Sequence, residues 1–124
     1  MAAITLDTGA LIGMERRHAR IVSLVRYART HERSIIAPSA VIAEWWRGRT
    51  DVRETILDMI DVEPLDADLA RLSGEAIAAV TGASVVDAIV MASASRRGGV
   101  VYTSDVDDLM RLQTFFPNTR VVRV

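Results

Sequence analysis

Short apolar segments alternate with longer amphipathic segments along the whole chain. The short segments are rich in valine and isoleucine, as buried strands are, and the longer ones repeat apolar residues at helical spacing. Strands are predicted at residues 3–6, 34–36, 60–63, 100–103 and 120–123, and helices at residues 9–15, 19–30, 39–47, 52–59, 67–80, 85–97 and 106–114. Strands separated by helices pair in parallel through right-handed crossovers. The alternation therefore predicts an α/β fold, a three-layer α/β/α sandwich around a central, mainly parallel sheet, without determining the strand order.

Several residues mark the predicted helix boundaries. Asp66 and Ser84 stand where N-caps are expected, and Pro38 precedes a helix whose first turn tolerates proline. Three glycines fall near predicted helix ends, where a left-handed backbone conformation is often needed: Gly48, Gly82 and Gly98.

The length of 124 residues predicts a single domain, residues 1–124, with one hydrophobic core. The absence of cysteine excludes disulfides, thiolate metal sites and cysteine nucleophiles, and it is typical of a cytosolic protein. No apolar run approaches the roughly 18 uncharged residues that cross a bilayer, and no secretory signal pattern begins the sequence. We therefore expect a cytoplasmic protein that does not contact a membrane.

All 15 basic residues are arginine, and the chain has no lysine. The planar guanidinium group binds phosphate through two parallel hydrogen bonds, which favours a nucleic-acid ligand. Codon bias in a GC-rich genome is the alternative explanation. The absence of lysine excludes a Walker-type phosphate loop, a Schiff-base mechanism and a receiver-type phospho-acceptor domain, since each depends on a lysine.

Four acidic residues lie within or directly after apolar segments: Asp7, Glu44, Asp87 and Asp105. Asp7 and Asp105 follow predicted strands, at whose carboxyl ends ligand sites gather in open α/β sheets, and the other two lie on predicted helices. Taken singly, each aspartate could be a helix cap, whereas Glu44 adjoins an apolar helix face and is harder to explain structurally. Four converging carboxylates would repel one another unless a cation or a proton neutralised them. Oxygen ligands favour Mg²⁺ or Mn²⁺, so the set predicts metal-dependent phosphate chemistry.

Each of these acids lies in a short motif, and the motifs together carry a family resemblance. The segments are ITLDTGALI (residues 4–12), EWWRG (residues 44–48), VDAIVMA (residues 86–92) and YTSDVDDL (residues 102–109). In this order they resemble the four motifs of PIN-domain ribonucleases, and the length is most similar to VapC-type toxins of bacterial toxin–antitoxin pairs. The pattern departs at Gly9, where many relatives have serine or asparagine, so a hydroxyl or amide group is missing there.

The resemblance implies a metal-dependent endoribonuclease that cleaves a structured RNA of the tRNA or rRNA class with one or two Mg²⁺ or Mn²⁺ ions. In-line attack by water would leave a 5′-phosphate and a 3′-hydroxyl. The resemblance assigns catalysis and metal binding to Asp7, Glu44, Asp87 and Asp105, and accessory roles to Thr8, Thr103 and Asp108.

Partners are expected on the same grounds. A cognate VapB-like antitoxin would cover the region of Trp45 and Trp46, one of which is expected in the core and the other on the surface, and residues 11–14 and 21–27 would extend this groove. Homodimerisation is usual among the relatives.

Arginines near residues 16–33 and 47–53 are candidates for phosphate contacts, and Arg47, close to Glu44, is the first choice. The two histidines, His18 and His31, are expected at the surface.

Two other functions fit part of the pattern. A metal-dependent phosphatase would usually have an Asp-X-Asp strand exit, whereas Asp7 is followed by Thr8 and Gly9. A catalytically silent interaction module of the same fold would be expected to lack one of the four acids, and none is missing.

Overall fold

A computed structural model describes residues 3–124. Within these residues five strands form one sheet in the order β3-β2-β1-β4-β5, and all neighbouring strands are parallel. The strands are β1 (Ile4–Leu6), β2 (Ile35–Pro38), β3 (Asp61–Glu63), β4 (Val100–Thr103) and β5 (Arg120–Arg123). The seven helices of the described residues are α1 (Thr8–Glu15), α2 (Ala19–Thr30), α3 (Ser39–Trp45), α4 (Asp51–Asp58), α5 (Ala67–Ala79), α6 (Val85–Ser95) and α7 (Val106–Leu112).

The predicted three-layer α/β/α architecture is confirmed, and every predicted strand and helix is present. Three helices end two residues earlier than predicted: α3 at Trp45, α6 at Ser95 and α7 at Leu112. The earlier end of α3 has a local cause, because Trp46 has an extended backbone conformation with φ −75° and ψ 104°. Strand β1 begins at Ile4, one residue later than predicted, so Ala3 lies outside the sheet.

The predicted helix boundary residues are also confirmed. Asp66 accepts a hydrogen bond from Leu69 N at 2.7 Å, and Ser84 accepts one from Asp87 N at 3.1 Å. The three glycines near helix ends all have positive φ, between 61° and 117°. A side chain at these positions would strain the backbone.

The middle strand, β1, is the most deeply buried part of the sheet. Ile4 and Leu6 have at most 1% of their surface exposed, and Leu6 pairs with Tyr102 of β4. Side chains alternate between the two faces of a strand. Thr5 lies on the face that α6 covers, since it contacts Arg97 just after that helix, and Tyr102 lies on the opposite face beside α2.

Helix α6 is buried on nearly all sides, and every residue from position 88 to 94 is inaccessible or nearly so. It packs against α5 and α7 and against three strands of the sheet. This explains why its sequence is apolar almost throughout rather than amphipathic. None of the helices within residues 3–124 has both the length and the apolar character that a membrane span requires.

A partly buried ion pair joins the end of α6 to two strands. The guanidinium group of Arg97 contacts the Glu63 carboxylate on β3, and it donates to Thr5 Oγ1 on β1 at 3.1 Å and to Ser93 Oγ at 2.9 Å. The exposed fraction is 23% for the Arg97 side chain and 17% for that of Glu63. Arg96 adds a second, longer contact of 3.5 Å to Glu63. These contacts fix the edge strand β3 to the layer that contains α6.

Candidate active site

The central pair of strands creates a crevice at one edge of the sheet. From β1 the chain continues to β2 on one side, whereas β4 is followed by β5 on the other side. A reversal of this kind separates the connecting loops at the carboxyl ends of the two strands, which is where ligands bind in open α/β sheets. Asp7 directly follows β1, and Asp105 lies two residues after β4. The strand order therefore brings together two acids that are far apart in sequence.

Asp7 is buried, with 6% of its surface exposed, and both of its carboxylate oxygens accept hydrogen bonds. Oδ1 accepts from Ala10 N at 2.9 Å, which makes Asp7 the N-cap of α1, and Oδ2 accepts from the Thr103 hydroxyl. The pKa of Asp7 is raised to about 6, mainly by burial and also by the neighbouring carboxylates of Asp87 and Asp105, despite these two hydrogen bonds, which lower it. Asp7 is thus a helix cap, as one interpretation of the sequence held, and also an acid that is costly to ionise.

Thr103 connects the first and fourth motifs. Its hydroxyl donates to Asp7, and the same oxygen accepts from Asp105 N at 2.8 Å. The side chain is fully buried. Thr103 therefore fixes the orientation of the Asp7 carboxylate and the backbone that begins the Asp105 loop.

Asp87 and Glu44 approach the crevice from two helices. Asp87 lies in the first turn of α6. Burial raises its pKa, and so does repulsion from Asp108 and Glu44, whereas the hydrogen bond with the Ser84 hydroxyl lowers it. The helix cap at this position is Ser84, so Asp87 is not itself the cap. Glu44 on α3 is exposed and accepts a hydrogen bond from the Thr8 hydroxyl.

Asp105 and Asp108 form a close acidic pair at the start of α7. The pKa of Asp105 is raised, first by its hydrogen bond with Asp108, then by burial and by repulsion from Asp108, Asp87 and Asp107. Asp105 occupies the N-cap position of α7 but accepts no capping hydrogen bond, so the interpretation of this residue as a helix cap is wrong. Asp108 also lies 3.7 Å from Arg111, which partly offsets its charge.

The chemistry of these donors fits a hard divalent cation. Asp7, Glu44, Asp87, Asp105 and Asp108 offer only oxygen ligands. Repulsion between carboxylates contributes, after burial or hydrogen bonding, to the raised pKa of Asp7, Asp87 and Asp105. As placed, no three acidic or histidine side chains among residues 3–124 are grouped closely enough to hold one ion. Binding would therefore require the carboxylates to turn toward one another.

The raised pKa of Asp7 predicts that the stability of the metal-free protein falls as the pH rises. The unfolded carboxyl titrates near 3.8 and the folded one near 6, so the native state binds more protons between these values. The stabilising contribution is complete below about pH 3.8 and is lost as the pH passes about 6. Urea unfolding in EDTA between about pH 4 and pH 8 measures this for wild type and for Asp7→Asn. The advantage of Asp7→Asn should grow across the window, and a constant difference would contradict the assigned pKa.

Ser104 lies within the fourth motif, but it was not among the predicted site residues. A Cβ atom added at Gly9 would collide with Ser104 Oγ and would lie 3.6 Å from Asp7 Oδ1. The Ser104 hydroxyl therefore occupies the space of the side chain that Gly9 lacks, close to the Asp7 carboxylate. The contact joins the first motif to the fourth and follows from the strand order, which the sequence pattern does not reveal.

The remaining predicted residues lie around this crevice or away from it. Arg47 is exposed just after α3, and both histidines are at the surface, as predicted. Trp45 is the core tryptophan, with 2% exposure, and its indole donates to Glu15 at 2.6 Å. Trp46 is partly buried and packs against the core, so it is less exposed than predicted. Leu11 is fully buried and cannot contribute to a partner groove.

Comparisons with known structures establish the fold, whereas comparisons of sequence assign no family. No protein-family profile matches the chain, and no curated protein matches its sequence. Solved structures do match over nearly the full length. A chain of DNA-bound VapBC from Salmonella typhimurium superimposes with a TM-score of 0.79 and 19% identity, covering 99% of this chain and 98% of that one.

Two further structures give the same result. VapBC2 from Rickettsia felis, bound to a promoter DNA fragment, has a TM-score of 0.78 at 12% identity and covers 98% of both chains. FitAB bound to an IR36 DNA fragment has a TM-score of 0.70 at 16% identity, covering 97% of this chain and 94% of that one. The resemblance to VapC-type PIN domains is thus confirmed at the level of the fold: the chain has a PIN-like α/β/α fold that it shares with proteins of the VapBC and FitAB structures.

Proposed function

We propose that the chain is a metal-dependent endoribonuclease that cleaves a structured RNA of the tRNA or rRNA class. The observation that carries this proposal is the position of Asp7, Asp87 and Asp105 around the switch point of the sheet, near enough for their charges to interact, with Glu44 of α3 near enough to raise the pKa of Asp87. Their charges repel one another without a cation, which costs stability, and clusters of this kind are commonly kept because they serve binding or catalysis. The shared fold with VapBC and FitAB structures supports the same conclusion.

Asp7, Glu44, Asp87 and Asp105 would hold Mg²⁺ or Mn²⁺, with Asp108 as an accessory acid. A bound ion of this kind lowers the pKa of water and offsets charge on a phosphodiester. Two threonines would orient the ligands, because the Thr103 hydroxyl donates to Asp7 and the Thr8 hydroxyl donates to Glu44. The acids act as ligands in this scheme rather than as nucleophiles, and cleavage is expected to leave a 5′-phosphate and a 3′-hydroxyl.

Incubation of total RNA with the purified chain in Mg²⁺, in Mn²⁺ or in EDTA tests the proposal. Discrete fragments that require the metal and carry 5′-phosphate ends are expected, and sequencing of these ends identifies the RNA class. A folded, metal-loaded protein that leaves RNA intact would contradict the proposal. Release of phosphate from a small ester together with an aspartyl-phosphate would instead indicate a phosphatase, and loss of both activities would indicate a binding module.

An antitoxin-like partner protein is part of the same proposal. A cavity of about 820 Å³ lies between α2 and α4. Its apolar lining includes Met14, Val22, Val52 and Met59. Val52 is 52% exposed, so it offers apolar surface to a partner at this cavity. A helix with an apolar face would cover this surface, as an inhibitory VapB-like segment would, and homodimerisation through another face is compatible with it.

A further inference from the structure

Helix α2 and the three residues before it are rich in arginine and contain no carboxylate. No acidic residue occurs from position 16 to position 31. Within residues 3–124, six arginines form ion pairs with carboxylates, namely Arg49, Arg53, Arg71, Arg96, Arg97 and Arg111. Arg20 on α2 and Arg123 on β5 have no such partner within this part of the chain. Their charge is therefore available to an anionic ligand.

Arg20 and Arg123 line the same groove, between α2 and the carboxyl ends of β4 and β5. The groove has a volume of about 530 Å³, and its other walls include Leu24, Tyr27 and Tyr102. Val124 is also part of the wall, and no acidic side chain among residues 3–124 lines the groove. The larger cavity on the other flank of α2 differs in this respect, because Glu15 and Asp51 lie in its wall. The two flanks of one basic helix are thus chemically distinct.

Tyr27 offers a flat aromatic surface at this groove. Its side chain is 48% exposed, and its ring stacks on His31 with 4.0 Å between ring centroids and 28° between ring planes. One face of the tyrosine ring is thus occupied by His31. Exposed aromatic rings beside unpaired arginines are the components of single-strand nucleic-acid sites, in which bases stack and phosphates bind guanidinium groups.

The groove adjoins the carboxylate crevice through a short series of contacts. Arg123 Nη1 lies 3.5 Å from the Ser104 carbonyl oxygen, and the Ser104 side chain lies over Gly9 beside Asp7. Tyr102 directly precedes Thr103, whose hydroxyl contacts Asp7. A strand in the groove would therefore continue into the acidic crevice.

We propose that this groove, with Arg20, Tyr27, Tyr102 and Arg123, holds the single-stranded RNA segment next to the phosphodiester that is cleaved. The proposal rests on the proposed function for the identity of the ligand. Arg20 and Arg123 bind phosphates on the two sides of the groove, and Tyr27 stacks on one base. This placement directs the strand past β4 to the acids, and it makes Arg123, rather than Arg47, the principal phosphate contact.

Binding of a fluorescein-labelled, mixed-sequence single-stranded RNA, followed by anisotropy in EDTA, tests the proposal without cleavage. Arg123→Ala and Tyr27→Ala are each expected to raise Kd about tenfold, and Tyr27→Phe should bind as wild type because it can still stack. The slope of log Kd against the logarithm of the salt concentration should decrease by about one in Arg123→Ala, as expected for the loss of one phosphate contact. Arg120→Ala is the matched control, since Arg120 is exposed and unpaired among the described residues at the opposite end of the same strand. It should change Kd by less than about twofold.

The outcomes separate this proposal from the proposed function. If wild type cleaves RNA while Arg123→Ala and Tyr27→Ala keep wild-type affinity, or if Arg120→Ala weakens binding equally, the groove assignment is wrong and the nuclease assignment stands. If wild type neither binds nor cleaves RNA, both fail. Sedimentation of each variant detects the remaining alternative: dissociation of a dimer by Arg123→Ala would make the groove an interface between two copies and overturn the proposal. Thermal melts confirm that each variant is folded.

Discussion

Asp7→Asn is expected to abolish RNA cleavage and, in the same protein, to raise the stability of the metal-free fold. Removal of a proposed metal ligand should lower the rate of cleavage about 100-fold or more. Asparagine has the same shape, its amide oxygen can still accept from Ala10 N, and its amide nitrogen can donate to Thr103 Oγ1. A tenfold change in proton affinity corresponds to about 1.4 kcal/mol, so the raised pKa of Asp7 costs about 3 kcal/mol at neutral pH. We expect the variant to recover about 1–3 kcal/mol, measured by urea unfolding in EDTA near pH 8.

Asp66→Asn is the matched control for this experiment. Asp66 caps α5 as Asp7 caps α1, each by accepting a hydrogen bond from the backbone nitrogen three residues later. Asp66 is exposed, however, and the hydrogen bond from Leu69 N lowers its pKa rather than raising it. Its substitution should leave cleavage unchanged and stability equal or slightly lower. Cleavage by Asp7→Asn at the wild-type rate would remove Asp7 from the active site, and a less stable Asp7→Asn protein would show that its hydrogen bonds outweigh its charge.

Arg97→Met is expected to cause a large loss of stability. The substitution leaves the partly buried Glu63 carboxylate without its closest cation and removes the donors to Thr5 and Ser93. Removal of one partner from a buried pair costs about 3–5 kcal/mol. Because both side chains remain partly exposed, and Arg96 still lies 3.5 Å from Glu63, we expect about 2–3 kcal/mol. The midpoint and slope of urea unfolding measure this loss.

A surface pair gives the reference value for this substitution. Arg71 pairs with Asp68 on α5, but both side chains are more than 70% exposed, so Arg71→Met should cost less than about 0.5 kcal/mol. Glu63→Gln with Arg97→Met completes a double-mutant cycle, in which the double variant should be more stable than the sum of the two single losses implies. Additive losses would show that Arg97 acts through packing rather than through its charge.

The secondary structure and the four acids could be predicted from the sequence because both depend on patterns among neighbouring residues. Apolar periodicity determines each strand and helix, and N-caps such as Ser84 act over three residues. The ends of α3 and α6 were less accessible, because they depend on backbone angles that tertiary packing selects. Strand order was not accessible at all, since parallel pairing leaves no local trace in the sequence.

The features that depend on strand order were missed for that reason. The pairing of β1 with β4 brings Ser104 over Gly9, and the position of β5 beside β4 brings Arg123 to α2. Charge pattern alone pointed to Arg47, which is near Glu44 in sequence. The Glu63–Arg97 pair joins residues 34 positions apart and likewise has no local signature.

The central position of β1 has a consequence for protein synthesis. Strand β1 is synthesised before both of its neighbours, and although β2 follows soon, β4 begins only at Val100. The Asp7–Thr103 hydrogen bond spans 96 positions, and contacts of such separation form late because a long loop must first be closed. A nascent chain therefore contains Asp7 long before it can assemble the crevice. Chains that end before β4 would lack Thr103 and Asp105 and therefore could not form the crevice.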